Sequence, residues 1–166
     1  MADVVGSWRA GKPQGPLTVF GLAIVIATVA IDQIAKLVAV AQLPIGSAVE
    51  LLPILTLYRV ENTGIAFSFL SGGGLPLVIM TLIVATVVVG FWVRAGDGGR
   101  LAAAGFALIV GGAIGNLIDR IRLGSVVDFL LLHFGERTLF VFNLADAALT
   151  LGPALLIVTY LFPSKE

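Results

Sequence analysis

The sequence predicts an all-α polytopic membrane protein, built as a bundle of four transmembrane helices. Of its 166 residues, 58% are hydrophobic and 12% are charged, whereas a soluble domain carries about twice that share of charge. The mean hydropathy is +1.07, and the apolar residues gather in four long runs. At about 1.5 Å per residue, each run is long enough to cross the hydrocarbon core as a helix.

The four runs define one predicted membrane domain over residues 17–162. They cover residues 17–41, 75–93, 101–117 and 139–162. Residues 1–16 are polar and rich in glycine and proline, which predicts a flexible cytoplasmic leader, and residues 163–166 form a short cytoplasmic tail. Basic residues are slightly more numerous on the side of the two termini, which favours this orientation. The first run is too long for a cleavable signal peptide and contains Asp32 and Lys36, so we expect it to be retained.

The segment between the first two runs is predicted to form a small extracytoplasmic hairpin or twisted strand pair. Residues 48–52 and 55–60 are short β-prone stretches, and Pro53 separates them. Residues 118–138, between the last two runs, are predicted to be a charged connecting segment.

Composition excludes several classes of function. The formal net charge is zero, which gives no reason to expect a nucleic-acid partner. The chain has no cysteine and one histidine, His133, so thiol chemistry, disulfides and a Ser-His triad are not expected. The sequence contains no metal-ligand constellation, and we expect no metal or cofactor.

The polar residues that form a candidate site all fall at one predicted end of the bundle. They are Asp32, Lys36, Asn62, Asn116, Asp119, Arg120, Asp128, Asn143 and Asp146. Asp146 lies about two turns inside the fourth run. Insertion of a carboxylate into the membrane there costs roughly 2.5–3.5 kcal/mol, so we expect Asp146 to be paired with another group or to have a function. A transporter or channel needs polar groups along its whole path. The one-sided cluster therefore indicates a reaction site that opens to the outer leaflet.

Asp128 and Asp146 are the candidate catalytic acids. Both have apolar neighbours in the sequence, and apolar surroundings disfavour an ionised carboxyl group. Two such acids brought together would share one proton, so that one activates water while the other polarises a carbonyl, as in aspartic proteases. The residue types leave an alternative open, in which Asp128 is a solvated loop acid and Asp146 caps or bridges a neighbouring helix.

The other acids are interpreted as members of ion pairs. Asp32 and Lys36 have the four-residue spacing of a helical ion pair, and a structural bridge is the simpler interpretation of Asp32. Asp119 is followed by Arg120 and Arg122, so we expect it to be ionised and paired with them.

Two further features of the third run bear on the site. Asn116 and Arg120 share a helical face, and Arg120 is expected either to bind a carbonyl or lipid phosphate or to extend to the headgroups. Gly111 and Gly115 form a small-xxx-small pair, which is first a signal of close helix packing.

Five segments, in order, resemble the lipoprotein signal peptidases, the type II signal peptidases of bacterial inner membranes. The segments are DQIAK at 32–36, ENTGIAF at 61–67, GGAIGNLIDR at 111–120, GSVVDF at 124–129 and FNLAD at 142–146. Each segment alone is weak evidence, but the five together are specific to this family.

The resemblance implies a membrane aspartyl endopeptidase that cuts a prolipoprotein just before a cysteine carrying diacylglycerol. It implies that Asp128 and Asp146 are the catalytic pair, with supporting roles for Asp32, Asn62, Asn116, Arg120 and Asn143. It also implies a small extracytoplasmic sheet and a short interfacial helix over the site. We expect the protein to be a monomer whose partners are its substrates and membrane lipids. The alternatives are a small transporter or channel with Asp146 as proton relay, and a non-enzymatic assembly subunit.

Overall fold

The computed structural model describes residues 15–64, 75–95 and 99–162. The four helices are α1 (Val19–Gln42), α2 (Leu75–Arg94), α3 (Gly99–Leu123) and α4 (Leu144–Leu161). The four strands are β1 (Ala48–Leu52), β2 (Leu55–Asn62), β3 (Val126–Phe134) and β4 (Arg137–Phe142). By length and composition, each of the four helices could cross a membrane, in agreement with the predicted four-helix bundle. Most of the predicted leader and the whole predicted tail lie outside the described residues.

The sheet is larger than the sequence predicts. Its four strands are antiparallel in the order β1-β2-β3-β4, so the predicted hairpin, β1 and β2, is only half of it. The predicted connecting segment supplies β3, and the first residues of the predicted fourth span supply β4. The all-α class is therefore correct for the bundle and wrong for the extramembrane part. The described ranges contain no helix besides these four, so the predicted short interfacial helix is not found in them.

The fourth helix begins at Leu144 rather than near residue 139. Residues 139–142 belong to β4, which pairs with β3 in a register that sets Phe142 opposite Leu130. Asn143 then caps α4, and its side chain accepts a hydrogen bond from the Asp146 amide. An apolar run alone does not reveal where a strand passes into a helix, whereas a capping asparagine does.

The third helix extends beyond its predicted end at residue 117. It continues to Leu123 and stops at Gly124, whose φ of 73° is the left-handed conformation that glycine adopts just past a helix end. The Gly124 N–H donates to the carbonyl of Arg120 at 3.1 Å. Asn116, Asp119 and Arg120 therefore lie in the last two turns of α3.

Helix α3 is the central element of the bundle, and most of its length is buried. Trp92 of α2 stacks on Phe106 of α3, with ring centroids 6.1 Å apart. The other three helices expose large apolar side chains, among them Ile26, Ile83 and Ile157. Such outward apolar surfaces are expected where lipid rather than water is the solvent.

Replacing Gly115 by alanine is expected to destabilise the protein. The new Cβ would lie 2.6 Å from Oδ2 of Asp32, and Asp32 is fully buried and cannot move aside. Overpacking of this kind costs about 1–3 kcal/mol, so thermal unfolding in detergent should occur at a lower Tm. Gly90→Ala on α2 is the matched control, because its Cβ would come no closer than 3.7 Å to a neighbour, Arg94. Equal Tm values for the two variants would contradict the prediction.

Candidate active site

One end of the bundle and the adjoining sheet bring the predicted polar residues together. Helix α1 supplies Asp32 and Lys36, and α3 supplies Asn116, Asp119 and Arg120. The remainder come from the sheet and the start of α4. The fully or nearly buried members are Asp32, Lys36, Asn116, Asp119, Asp128 and Asn143. Buried polar groups of this kind are stable only when they are hydrogen-bonded or paired.

Asp128 and Asp146 converge on a single residue, Asn143. The Asn143 side-chain nitrogen donates to Oδ1 of Asp128 at 2.6 Å. Its backbone N–H faces Oδ2 of Asp146 at 3.3 Å. Two acids that are 18 positions apart in the sequence are therefore bridged by one asparagine.

Asp146 lies in the first turn of α4, not two turns inside a helix as the sequence predicts. It forms a capping box with Asn143, since each residue accepts a hydrogen bond from the backbone N–H of the other. The helix N-terminus favours a negative charge at this position. Oδ1 of Asp146 also accepts from the Asn116 side-chain nitrogen at 2.7 Å. The capping role anticipated for Asp146 and its place in the polar cluster therefore occur together.

Asp128 lies on β3, opposite Val60 of β2. Its Oδ2 accepts from the Asn62 side-chain nitrogen at 2.9 Å, and its Oδ1 accepts from Asn143. Burial raises the pKa of the Asp128 carboxyl to about 6, and the charge of Asp146 acts in the same direction, while the hydrogen bonds from Asn62 and Asn143 oppose the rise. Asp128 can therefore hold or release a proton close to neutral pH, as a general acid or base must.

A buried ion cluster lies beside the carboxylate pair. The Lys36 ammonium is 2.9 Å from Oδ2 of Asp32 and 2.9 Å from Oδ2 of Asp119. The predicted Asp32–Lys36 pair is thus observed. The predicted pairing of Asp119 with the arginines that follow it is wrong, because both of its carboxylate oxygens are held elsewhere, Oδ1 by Gln33 and Oδ2 by Lys36, and both of these residues belong to α1.

The two acids of this cluster each hold the backbone beside a candidate catalytic residue. Oδ1 of Asp32 accepts the N–H of Ala145 at 2.9 Å, one residue before Asp146. Oδ2 of Asp119 accepts the N–H of Val127 at 3.1 Å, one residue before Asp128. The ion cluster therefore fixes the start of α4 relative to the start of β3.

Two residues that the sequence analysis singles out, Arg120 and Gly111, lie outside this network. Arg120 is half-buried and its side chain makes no hydrogen bond or ion pair with any described residue, although it interacts electrostatically with Asp146 and Asp128. Gly111 packs against Thr28 where α1 and α3 touch, as its small-xxx-small spacing predicts, and it contributes to helix packing rather than to the polar cluster.

Sequence reasoning missed Gln33 as a member of the cluster. Its side-chain nitrogen donates to Oδ1 of Asp119 at 3.0 Å and to the carbonyl of Gly115 at 3.1 Å. The available signal was an amide side chain directly after Asp32 inside an apolar run, where an unsatisfied polar group is costly.

The fold is shared with bacterial membrane enzymes of known structure. One, solved at 1.9 Å resolution and described as a bacterial membrane enzyme, matches with a TM-score of 0.81 and 30% sequence identity, covering 93% of this chain and 99% of its own. A second, solved at 2.3 Å and described in the same way, gives a TM-score of 0.79 and 28% identity over 94% of this chain and 98% of its own. Fold and buried polar site together define the class as a membrane enzyme.

Sequence similarity defines a narrower class of protein than the fold does. Residues 24–162 match the family model described as signal peptidase II. The lipoprotein signal peptidase of Mesorhizobium japonicum is 43% identical over 135 residues, which cover 81% of this chain and 80% of the relative. That of Brucella ovis is 44% identical over 140 residues, covering 82% and 86%. The chain belongs to the signal peptidase II family. It is a multi-pass peptidase of the bacterial inner membrane that removes signal peptides.

Proposed function

We propose that the protein is an aspartic endopeptidase that cuts diacylglyceryl-modified prolipoproteins just before the lipidated cysteine, with Asp128 and Asp146 as its catalytic pair. The observation that carries the proposal is the bridging of both carboxyl groups by Asn143. The family relationship supplies the substrate class, because the curated relatives are lipoprotein signal peptidases.

The pair works with one proton between its two carboxyl groups. The ionised member takes a proton from water, and the water oxygen attacks the scissile carbonyl carbon. The protonated member gives its proton to the carbonyl oxygen as the tetrahedral intermediate forms. The roles then reverse: the first acid, now protonated, protonates the leaving nitrogen as the C–N bond breaks, and the other carboxylate recovers a proton from the intermediate's hydroxyl.

Arg120 is proposed to bind the substrate rather than to stabilise the fold. Its guanidinium has no partner among the described residues yet lies close enough to Asp146 and Asp128 to interact with both charges. A planar guanidinium binds carbonyl oxygens and phosphates through paired N–H groups, so Arg120 would bind a substrate carbonyl or a lipid phosphate beside the scissile bond.

The site is proposed to lie near the outer leaflet, with both termini in the cytoplasm. A diacylglyceryl-anchored substrate would then approach sideways, with its acyl chains still among the lipids. Within the described residues, one chain supplies both acids and their hydrogen-bond partners, so the site needs no residue from a second copy, and the enzyme is proposed to act as a monomer. A proton path across the membrane is disfavoured, because the opposite halves of the described helices carry no charged side chain except Arg94 and Arg100 at helix ends.

The proposal is tested by reconstitution of the purified protein in lipid nanodiscs with a diacylglyceryl-modified preprolipoprotein. We expect release of the intact signal peptide and a mature product that begins at the lipidated cysteine, both identified by mass spectrometry. The same precursor without diacylglycerol is the control and should be cleaved far more slowly. Failure to cleave the modified precursor would refute the proposed activity.

Asn62→Leu is expected to move the alkaline limb of the pH profile upward. Asn62 stabilises the charged form of Asp128 and thereby lowers the pKa of its carboxyl. Without that donor the pKa rises further above about 6, so the pair keeps its proton to higher pH. A hydrogen bond to a charged group corresponds to a shift of about 1 unit, which kcat/KM measured against pH will reveal. Glu61→Gln, a neighbouring exposed acid without contact to Asp128, should leave the limb unchanged, and an unchanged limb in Asn62→Leu would contradict the prediction.

A further inference from the structure

The Lys36 ammonium has no spare hydrogen-bonding capacity. It carries three N–H donors and no acceptor, and its three partners are Oδ2 of Asp32, Oδ2 of Asp119 and Oδ1 of Asn116, each at 2.9 Å. Lys36 is 3% exposed, so water cannot take the place of any of them.

This arrangement fixes the orientation of the Asn116 amide. Because Lys36 can only donate, Asn116 must turn its carbonyl oxygen to the ammonium. Its NH₂ group then faces Oδ1 of Asp146 at 2.7 Å. The opposite orientation would set two oxygens against each other at that distance and two donors against each other beside Lys36.

The side-chain amide of Asn143 is oriented by an independent donor, and its orientation is consistent with that of Asn116. Oδ1 of Asn143 accepts the backbone N–H of Asp146 at 2.9 Å, so the NH₂ group of Asn143 faces away from that amide. It donates to Oδ1 of Asn116 at 3.2 Å and to Oδ1 of Asp128. The NH₂ group of Asn143 thus also requires the Asn116 oxygen to face it. The hydrogen bonds among Lys36, Asn116, Asn143 and Asp146 are therefore mutually consistent.

We propose that Lys36 is a positioning residue for the carboxylate pair: its ammonium holds the Asn116 amide in the one orientation that directs an N–H at Asp146. The inference rests on the proposed function for its catalytic consequence, since it assigns Lys36 to the same site. Without the ammonium, the Asn116 oxygen keeps only the longer hydrogen bond from Asn143, at 3.2 Å, so the second orientation becomes accessible, and that orientation withdraws the N–H from Asp146.

The test needs a variant that folds. Lys36→Met alone would leave two buried carboxylates without a counter-ion, which is strongly destabilising. Lys36→Met combined with Asp119→Asn leaves only Asp32 without a counter-ion, so the cluster keeps the one net negative charge of the wild type. Asp32 still accepts hydrogen bonds from the Gln33 side chain and the Ala145 N–H. Asp119→Asn alone is the reference. An asparagine at 119 keeps an oxygen for the Val127 N–H, so the strand remains held.

Two measurements distinguish positioning from a merely structural role. Multiple-turnover cleavage of the diacylglyceryl-modified preprolipoprotein should show kcat reduced roughly 10- to 100-fold relative to Asp119→Asn, the scale of one hydrogen bond to a charged group. KM should stay within about 3-fold, because the substrate does not touch Lys36. In protein labelled with ¹⁵N-asparagine, the Asn116 side-chain NH₂ signal, assigned by its loss in Asn116→Ala, should shift or broaden through exchange.

The kcat and NMR results together decide whether Lys36 positions Asn116. A kcat within about 2-fold of the reference, or a lowered kcat with an unchanged Asn116 signal, would overturn it. Because the NMR measurement requires no turnover, it tests the orientation of Asn116 even if the wild type fails to cleave. That failure would refute the proposed function, whereas an unchanged signal in an active protein would refute only the role of Lys36.

Discussion

Replacing Asp128 or Asp146 by asparagine is expected to lower kcat for signal peptide release by at least about 1,000-fold, the scale on which loss of a catalytic group is felt. An amide is similar in size to a carboxyl group but can neither take a proton from water nor give one to the substrate carbonyl. Because the proposed mechanism uses both acids in every turnover, loss of either should be as damaging as loss of both. Initial rates of cleavage in nanodiscs measure the effect.

Folding must be kept separate from chemistry in this comparison. Asp146→Asn retains an oxygen for the capping box, and Asp128→Asn retains one for either Asn62 or Asn143, so each variant should keep most of its thermal stability. Glu50→Gln on the exposed strand β1 is the matched acid-to-amide control and should cleave normally. If Asp128→Asn or Asp146→Asn cleaved within about 10-fold of the wild-type rate, the assigned pair would be wrong.

The helices of this fold could be predicted because run length is a local signal. The strands β3 and β4 could not, although Val126 to Phe134 and Leu139 to Phe142 are β-prone. Their apolar residues merge with the neighbouring helical runs, and pairing between strands is set by partners elsewhere in the chain. Only β1 and β2, which stand apart between turn residues, were recognisable as strands.

The members of the site were predictable, but most of their partners were not. A polar residue in an apolar run is conspicuous because its burial is costly, and this signal found Asp32, Asn116 and Asp146. Asp119 was matched to the arginines beside it, whereas its partner is Lys36, which is 83 positions away in the sequence. Contacts between helices depend on which faces meet, and the sequence of one helix does not contain that information.

The arrangement of the ion cluster explains how the two aspartates of the proposed catalytic pair, one on a strand and one on a helix, can be kept in register. Asp32 binds the amide before Asp146, and Asp119 binds the amide before Asp128. Lys36 joins the two carboxylates, so a shift of α4 relative to β3 would break one of three buried contacts. Buried charges are expensive, and their use here is consistent with a role in specifying geometry rather than in adding stability.

Substitutions of Asn143 are expected to distinguish its role in capping α4 from its role in catalysis. In Asn143→Ser the hydroxyl oxygen can still accept the Asp146 N–H and cap α4, whereas Asn143→Ala loses the cap at a cost of about 0.5–2 kcal/mol. Both variants lack the NH₂ group that donates to Asp128 at 2.6 Å. We therefore expect kcat to fall roughly 100-fold or more in both, with a clearly lowered Tm only in Asn143→Ala.

The difference between Asn143→Ser and Asn143→Ala distinguishes the two roles of Asn143. If Asn143→Ser cleaved at the wild-type rate, capping alone would account for Asn143, and the donor to Asp128 would be unnecessary. If both variants lost stability equally, the hydrogen bonds to Asp128 and Asn116 would matter more to the fold than the cap does. A stable but inactive serine variant would show that the asparagine NH₂ group, and not helix capping, is what binds the two carboxyl groups into one catalytic unit.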